Sequence, residues 1–88
     1  MIKQEMKILN ELGIHARPAG MLANTASRFT CDIKLFKDGM EVNAKSIMGV
    51  MTLAAGCGSL IEVTASGKDE ADAIKAIGEL FAQKFDED

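Results

Sequence analysis

The segment "GIHARPAG", residues 13 to 20, carries the only histidine and the only proline of the chain, with an arginine between them. An imidazole in such a place can be a packed side chain, a metal ligand, a base or a nucleophile. Its neighbours narrow the choice. Proline is tolerated in the first turn of a helix, because the amide it lacks would have had no partner there. It also pushes Arg17, the residue before it, away from helical dihedrals. The helix therefore starts near Ala16 or at Pro18, and either way His15 and Arg17 flank its positive end.

Unpaired amides and the macrodipole at that end favour an anion, by about 0.3–1 kcal/mol and up to ~2 in partly buried geometry. The same field opposes an imidazolium and so favours the neutral ring, whose lone pair can attack an electrophile. If the electrophile is a phosphoryl group, the product places its charge where the helix amides and Arg17 meet it. Stabilisation on this scale at an exposed site holds a phosphoryl group without trapping it, which suits a carrier. The ordinary role of a lone histidine is a plain N-cap or surface residue. A glycine ahead of His15, an arginine two residues on and a proline three residues on set this one apart. Metal binding lacks companion ligands. A hydrolytic triad fails too, since Thr25 and Ser27 come from a helix and nothing resembles a nucleophile elbow.

The elements that must position these residues follow from the pattern of the chain. At 88 residues, 48% hydrophobic and 26% charged, it reads as one domain, residues 1–88, with a core but no room for a deep cavity. Any chemistry belongs on the surface. A net charge of −3 and the absence of Trp and Tyr argue against nucleic acid. Cys31 and Cys57 lack CxxC spacing and read as reduced, mostly buried thiols. The charged, alternating start is no signal peptide, and no apolar run suits a membrane span, so the expected compartment is the cytoplasm.

Ile2, Gln4, Met6 and Ile8 alternate with charged residues as a half-buried strand does. Ala19, Leu22, Ala23, Ala26 and Phe29 follow helical spacing, giving a first helix from about residue 15 to 27 or 28. "DIKLFK" reads as a strand, and Asp38-Gly39 turns the chain into "MEVN" as a tight hairpin. "KSIMGVMTLAAG" is a short helix with Ser46 as N-cap, broken by Gly56 and Gly58. "LIEVTASG" is a strand with Ile61, Val63 and Ala65 inward. Asp69 caps a last helix with Glu70 and Asp72 in its first turn and Ala73, Ile74, Ile77, Leu80, Phe81 and Phe85 as its buried stripe. The tail "DED" is solvated. Strand, helix, strand, strand, helix, strand, helix makes an α+β two-layer sandwich: four strands, one face covered by three helices.

"LGIHARPAG" resembles the active-site motif of the HPr family, the histidine-containing phosphocarriers of the bacterial phosphoenolpyruvate-dependent phosphotransferase system. "KSIMGVMTL" resembles the family's second signature, around a regulatory serine. The resemblance spans essentially the whole chain, including the length between the motifs. It implies an open-faced sandwich with an antiparallel sheet in the order 1-4-2-3. It further implies that His15 accepts a phosphoryl group on Nδ1 from phospho-enzyme I, with help from Arg17, and passes it to enzyme IIA domains during sugar uptake. On this reading the protein is a stoichiometric carrier, not a turnover enzyme. It is monomeric, needs no cofactor or metal, and neither binds nucleic acid directly nor enters the membrane.

Ile47, Met48 and Met51 share one arc of the short helix, while Val50, Leu53 and Ala54 share another. So short a helix does not easily bury two arcs, and flexible methionines suit an adaptable docking surface. The first arc is therefore expected to meet enzyme I and IIA partners. Ser46 is a good N-cap in its own right. The resemblance adds phosphorylation there by HPr kinase/phosphorylase, and a catabolite-control transcription regulator as a further partner. Phosphate at Ser46 would leave the fold intact and oppose docking. Leu12 stands where many sugar-branch members have Ser or Asn, and "LG" before the histidine is common in the nitrogen branch. Ala54 replaces a frequent glycine, and "GCG" is unusual. Two alternatives stay open: a nitrogen-branch regulatory carrier with the same chemistry, and a binding protein signalling through Ser46 without transfer at His15.

Overall fold

A period of two in the strands and a wider helical period in between account for the architecture of the computed structural model, which describes residues 1–53 and 55–86. Strands β1 (Ile2–Lys7), β2 (Asp32–Lys37), β3 (Met40–Asn43) and β4 (Leu60–Ser66) alternate with helices α1 (Ala16–Ala26), α2 (Ile47–Thr52) and α3 (Glu70–Ala82). The element order matches that read from the sequence. The strands form one antiparallel sheet in the order β1-β4-β2-β3.

Register puts the apolar alternates on one face. Met6 lies opposite Ile61, Leu35 opposite Val63 on one side and Val42 on the other, and Ile33 opposite Ala65. The helices lay Leu22, Ala26, Val50, Ile77 and Phe81 over them in one continuous core. Gln4 holds an inward register position on the edge strand β1 yet stays exposed. At the hairpin, Lys37 pairs with Met40 and leaves Asp38 and Gly39 as the two turn residues. Their φ angles of 49° and 80° are the doubly positive pair of a type I′ turn.

Several details depart from the sequence reading. Helix α2 ends at Thr52, short of Gly56. Leu53 plugs into the core just after it, and the carbonyl of Ala55 accepts from the amide of Ile14 at 2.8 Å. Tertiary pairing thus draws the chain out of the helix before the glycines are reached. Ala54, expected among the buried residues of this segment, lies outside the described residues, as do Glu87 and Asp88 of the tail.

Asp69 occupies the N-cap position of α3 without capping it. Its carboxylate instead accepts from the amides of Thr30 (2.8 Å) and Cys31 (3.0 Å), binding the α1–β2 connection to the start of α3. Glu70 reaches back to the amide of Gly67 at 3.1 Å. The stripe of α3 buries Ala73, Ile74, Ile77 and Phe81, with Leu80 partly covered. Phe85 is buried as expected, but not from the helix. Lys84, Phe85 and Asp86 all have positive φ, and this left-handed turn folds Phe85 edge-on against Phe81, with ring centroids 5.1 Å apart.

Candidate functional site

The site begins one turn before α1, in a loop that must deliver a side chain to the helix start. Asn10 is buried, and its amide nitrogen donates to the carbonyl of Gly13 at 2.6 Å while the amide of Gly13 donates to the carbonyl of Asn10 at 3.1 Å. The turn between them is thereby fixed. Gly13 has φ of +71°, and a Cβ there would stand 2.6 Å from the carbonyl oxygen of Ala55 and 2.8 Å from Cα of Gly56. Only glycine satisfies both the dihedral and the close approach of the two backbones. Ile14 then pairs with Ala55, and the chain is held at the point where His15 follows.

His15 is the N-cap residue of α1, with extended backbone angles (φ −118°, ψ −164°) and no hydrogen bond from its side chain to the helix amides. Its carbonyl accepts the first helical bond, from Ala19 at 3.0 Å. The ring is partly exposed. Ala16 and Arg17 are exposed in the first turn, where no helical carbonyl can meet their amides, and Pro18 is fully buried. The earlier of the two expected starts, near Ala16, is the one adopted. The buried proline ring locks the first turn to the core and leaves His15 and Arg17 on the outside.

The second motif lies alongside. Ser46 Oγ accepts from the amide of Gly49 at 3.0 Å, a true side-chain cap of α2. The Lys45 ammonium donates to the carbonyl of Phe29, just past the end of α1, at 2.8 Å. The start of α2 is thus tied to the end of α1, and the exit of α2, through Ala55, to the segment before α1. The two helices run side by side in opposite senses, and Ser46 sits at the end farther from His15. Gly20, Ala23, Asn24 and Ser27 of α1 share a shallow cleft of about 290 Å³ with Lys45 and Ile47.

The Met arc faces solvent: Ile47 is 48% exposed, Met48 75% and Met51 41%, while Val50 is fully buried and Leu53 nearly so. Sequence reasoning singles out Leu12 only as an unusual residue. It is 75% exposed at the tip of the turn before His15 and adds to the apolar surface there. The fixed turn that leaves it exposed rests on the Asn10 contacts, and these cannot be read from spacing.

The thiols differ from the expectation of two mostly buried groups. Cys31 is buried and unpaired as a disulfide, and its pKa is raised, first by burial and then by the Asp69 carboxylate beside it. Cys57 is exposed, in the loop before β4, and its thiol donates to the carbonyl of Leu9 at 3.8 Å. Among the described residues no three metal-ligating side chains cluster, and no helix is long and apolar enough to cross a membrane.

With this geometry in place, comparisons with known proteins converge. A family model described as "PTS HPr component phosphorylation site" matches residues 2–83. The chain is 50% identical to the phosphocarrier protein HPr of Treponema pallidum, over the full length of both. Its fold is similar to the crystal structure of an HPr from Thermoanaerobacter tengcongensis, with a TM-score of 0.96 and 44% identity over 100% of this chain and 99% of that one. A dimeric HPr crystal structure from the same organism matches with a TM-score of 0.78 and 45% identity, over 97% of this chain and 98% of the other.

Proposed function

The chain belongs to the HPr phosphocarrier family of the phosphotransferase system, and from that premise we propose that His15 is its phosphoryl acceptor, loaded by phospho-enzyme I and unloaded by enzyme IIA domains. The observation that carries the reading is the start of α1: a partly exposed imidazole at the N-cap that does not cap, with exposed Arg17 two residues on. In the transfer, the Nδ1 lone pair forms a bond to phosphorus as the bond from phosphorus to the donor breaks, the leaving electron pair staying on the donor. The ring keeps its proton on Nε2. Amides of the first turn and the Arg17 guanidinium stabilise the new negative charge. Donation to the next acceptor runs the same step in reverse.

Ile47, Met48 and Met51 form the docking surface for both partners, on the helix that lies beside α1. One chain supplies the ring, the arginine and the docking arc, so a monomer suffices for both transfers. Ser46 is the regulatory position. Its hydroxyl already holds the amide of Gly49, so a phosphate there would exchange one cap for a stronger one and confront any partner seated on the arc.

Incubation with phosphoenolpyruvate and enzyme I should place an acid-labile, alkali-stable phosphate on His15, and His15→Ala should accept none. Label on the alanine variant would remove the assignment.

A further inference from the structure

The helices leave the other side of the sheet bare, and its side chains are ordered by charge. Register across the strands places Lys3, Thr64 and Lys34 in one row. The next row, about 7 Å further along the strands, holds Glu5, Glu62, Phe36 and Glu41. A cationic row thus lies beside an acidic one, with a half-exposed aromatic ring in the acidic row. Between them runs an open groove of about 400 Å³.

We infer that this face is a self-complementary surface that takes a second copy of the chain. Two identical sheets meet face to face through a two-fold axis lying in the plane between them. If the axis runs across the strands, between the two rows, each copy's Lys row falls on the partner copy's Glu row. Lys3 of each copy then meets the acidic row near the position of Glu5. Lys34 meets the ring of Phe36, with Glu62 and Glu41 on either side, and this geometry offers a cation–π contact as well as ion pairs. An axis along the strands would instead stack Lys on Lys and Glu on Glu, so the charge pattern selects one of the two arrangements.

Within one chain the rows interact only loosely: Lys3 and Glu62 are 3.8 Å apart, the lysine exposed and the glutamate partly so. Their charges therefore remain available to a partner copy. The same axis brings like charges together at the rim, Asp32 towards the hairpin end that carries Asp38. The association is accordingly weak, reversible and sensitive to salt. His15, Arg17 and the α2 arc lie on the helical side and stay open in such a pair.

Sedimentation of the full chain tests this. At low salt the mass should rise reversibly with concentration towards a dimer, and the dissociation constant should increase by about tenfold on moving to several hundred millimolar sodium chloride. Lys34→Glu and Glu62→Lys should each weaken self-association at least about tenfold, while an equimolar mixture of the two variants restores it. Both variants should still accept phosphate from enzyme I, which verifies that they fold. A strictly monomeric chain at low salt overturns the inference and leaves the face to another occupant. A slowly exchanging dimer indifferent to salt and to both substitutions, as strand exchange would give, overturns it equally.

Discussion

The starts of α1 and α2 solve the same problem in opposite ways. Each must deal with amides that the helix cannot pair. At α2 the chain does so itself, with Ser46 Oγ on the amide of Gly49. At α1 the N-cap residue is a histidine whose side chain makes no such bond, and the first turn carries an arginine and a proline instead of an acidic residue. A helix start closed by its own residue is a structural joint. One whose N-cap side chain does not close it suits the proposed role of His15, in which the first-turn amides meet the phosphoryl group. The start of α3 is a third variant, in which the N-cap carboxylate is diverted to a neighbouring loop.

The contrast is tested most severely at Gly13. Gly13→Ala would force a Cβ to 2.6 Å from the Ala55 carbonyl at a positive φ. It should destabilise the fold by about 3 kcal/mol, seen as a lower urea midpoint, and slow transfer by displacing His15. Arg17→Ala should slow phosphoryl transfer by about tenfold to a hundredfold with no change in melting temperature, because the side chain is exposed. Equal rates would mean that the amides alone meet the phosphate.

Ser46→Ala should show the reverse behaviour, losing about 1 kcal/mol of stability while accepting phosphate on His15 at the normal rate. If its transfer rate fell as far as that of Arg17→Ala, the two helix starts would not be separable. The smallest effect is expected at α3. The amide of Thr30, first, and the other bonds to Asp69 hold its pKa below the ordinary value of 3.8. A lowered carboxylate contributes stability that is present above that value and lost as pH falls through the folded one. The melting-temperature gap between the parent and Asp69→Ala should therefore be widest near neutrality and close below about pH 4. A constant gap would assign the loss to packing instead.

What the sequence discloses of this arrangement is mostly local. Alternation sets β2 and β3, Asp38-Gly39 sets the hairpin, and Ser46 and His15 mark two helix starts. The sheet order comes from family resemblance, since antiparallel alternation fits several orders. The end of α2 escapes a reading by pattern because a backbone bond between Ile14 and Ala55 overrides the glycines as a stop signal. Asp69 escapes it for a related reason: an N-cap aspartate and a loop-binding aspartate look the same in sequence. The exposed thiol of Cys57 and the Asn10 turn likewise depend on which distant segments meet. For the candidate site, residue types are legible, whereas the clasp that holds His15 at the surface is not.

The antiparallel lie of α1 and α2 bears on how a modification at Ser46 would reach the His15 ring proposed to react. Six residues of α2 put roughly 9 Å of helix between its two ends, a span comparable with the distance over which salt erases an electric field in the cell. A charge added at Ser46 would then barely disturb an empty imidazole. Its influence would travel through whichever visitor straddles both helices, so visitors with broad footprints would feel it strongly and narrow ones hardly at all. One covalent mark could in this way rank the customers of a carrier without altering its chemistry.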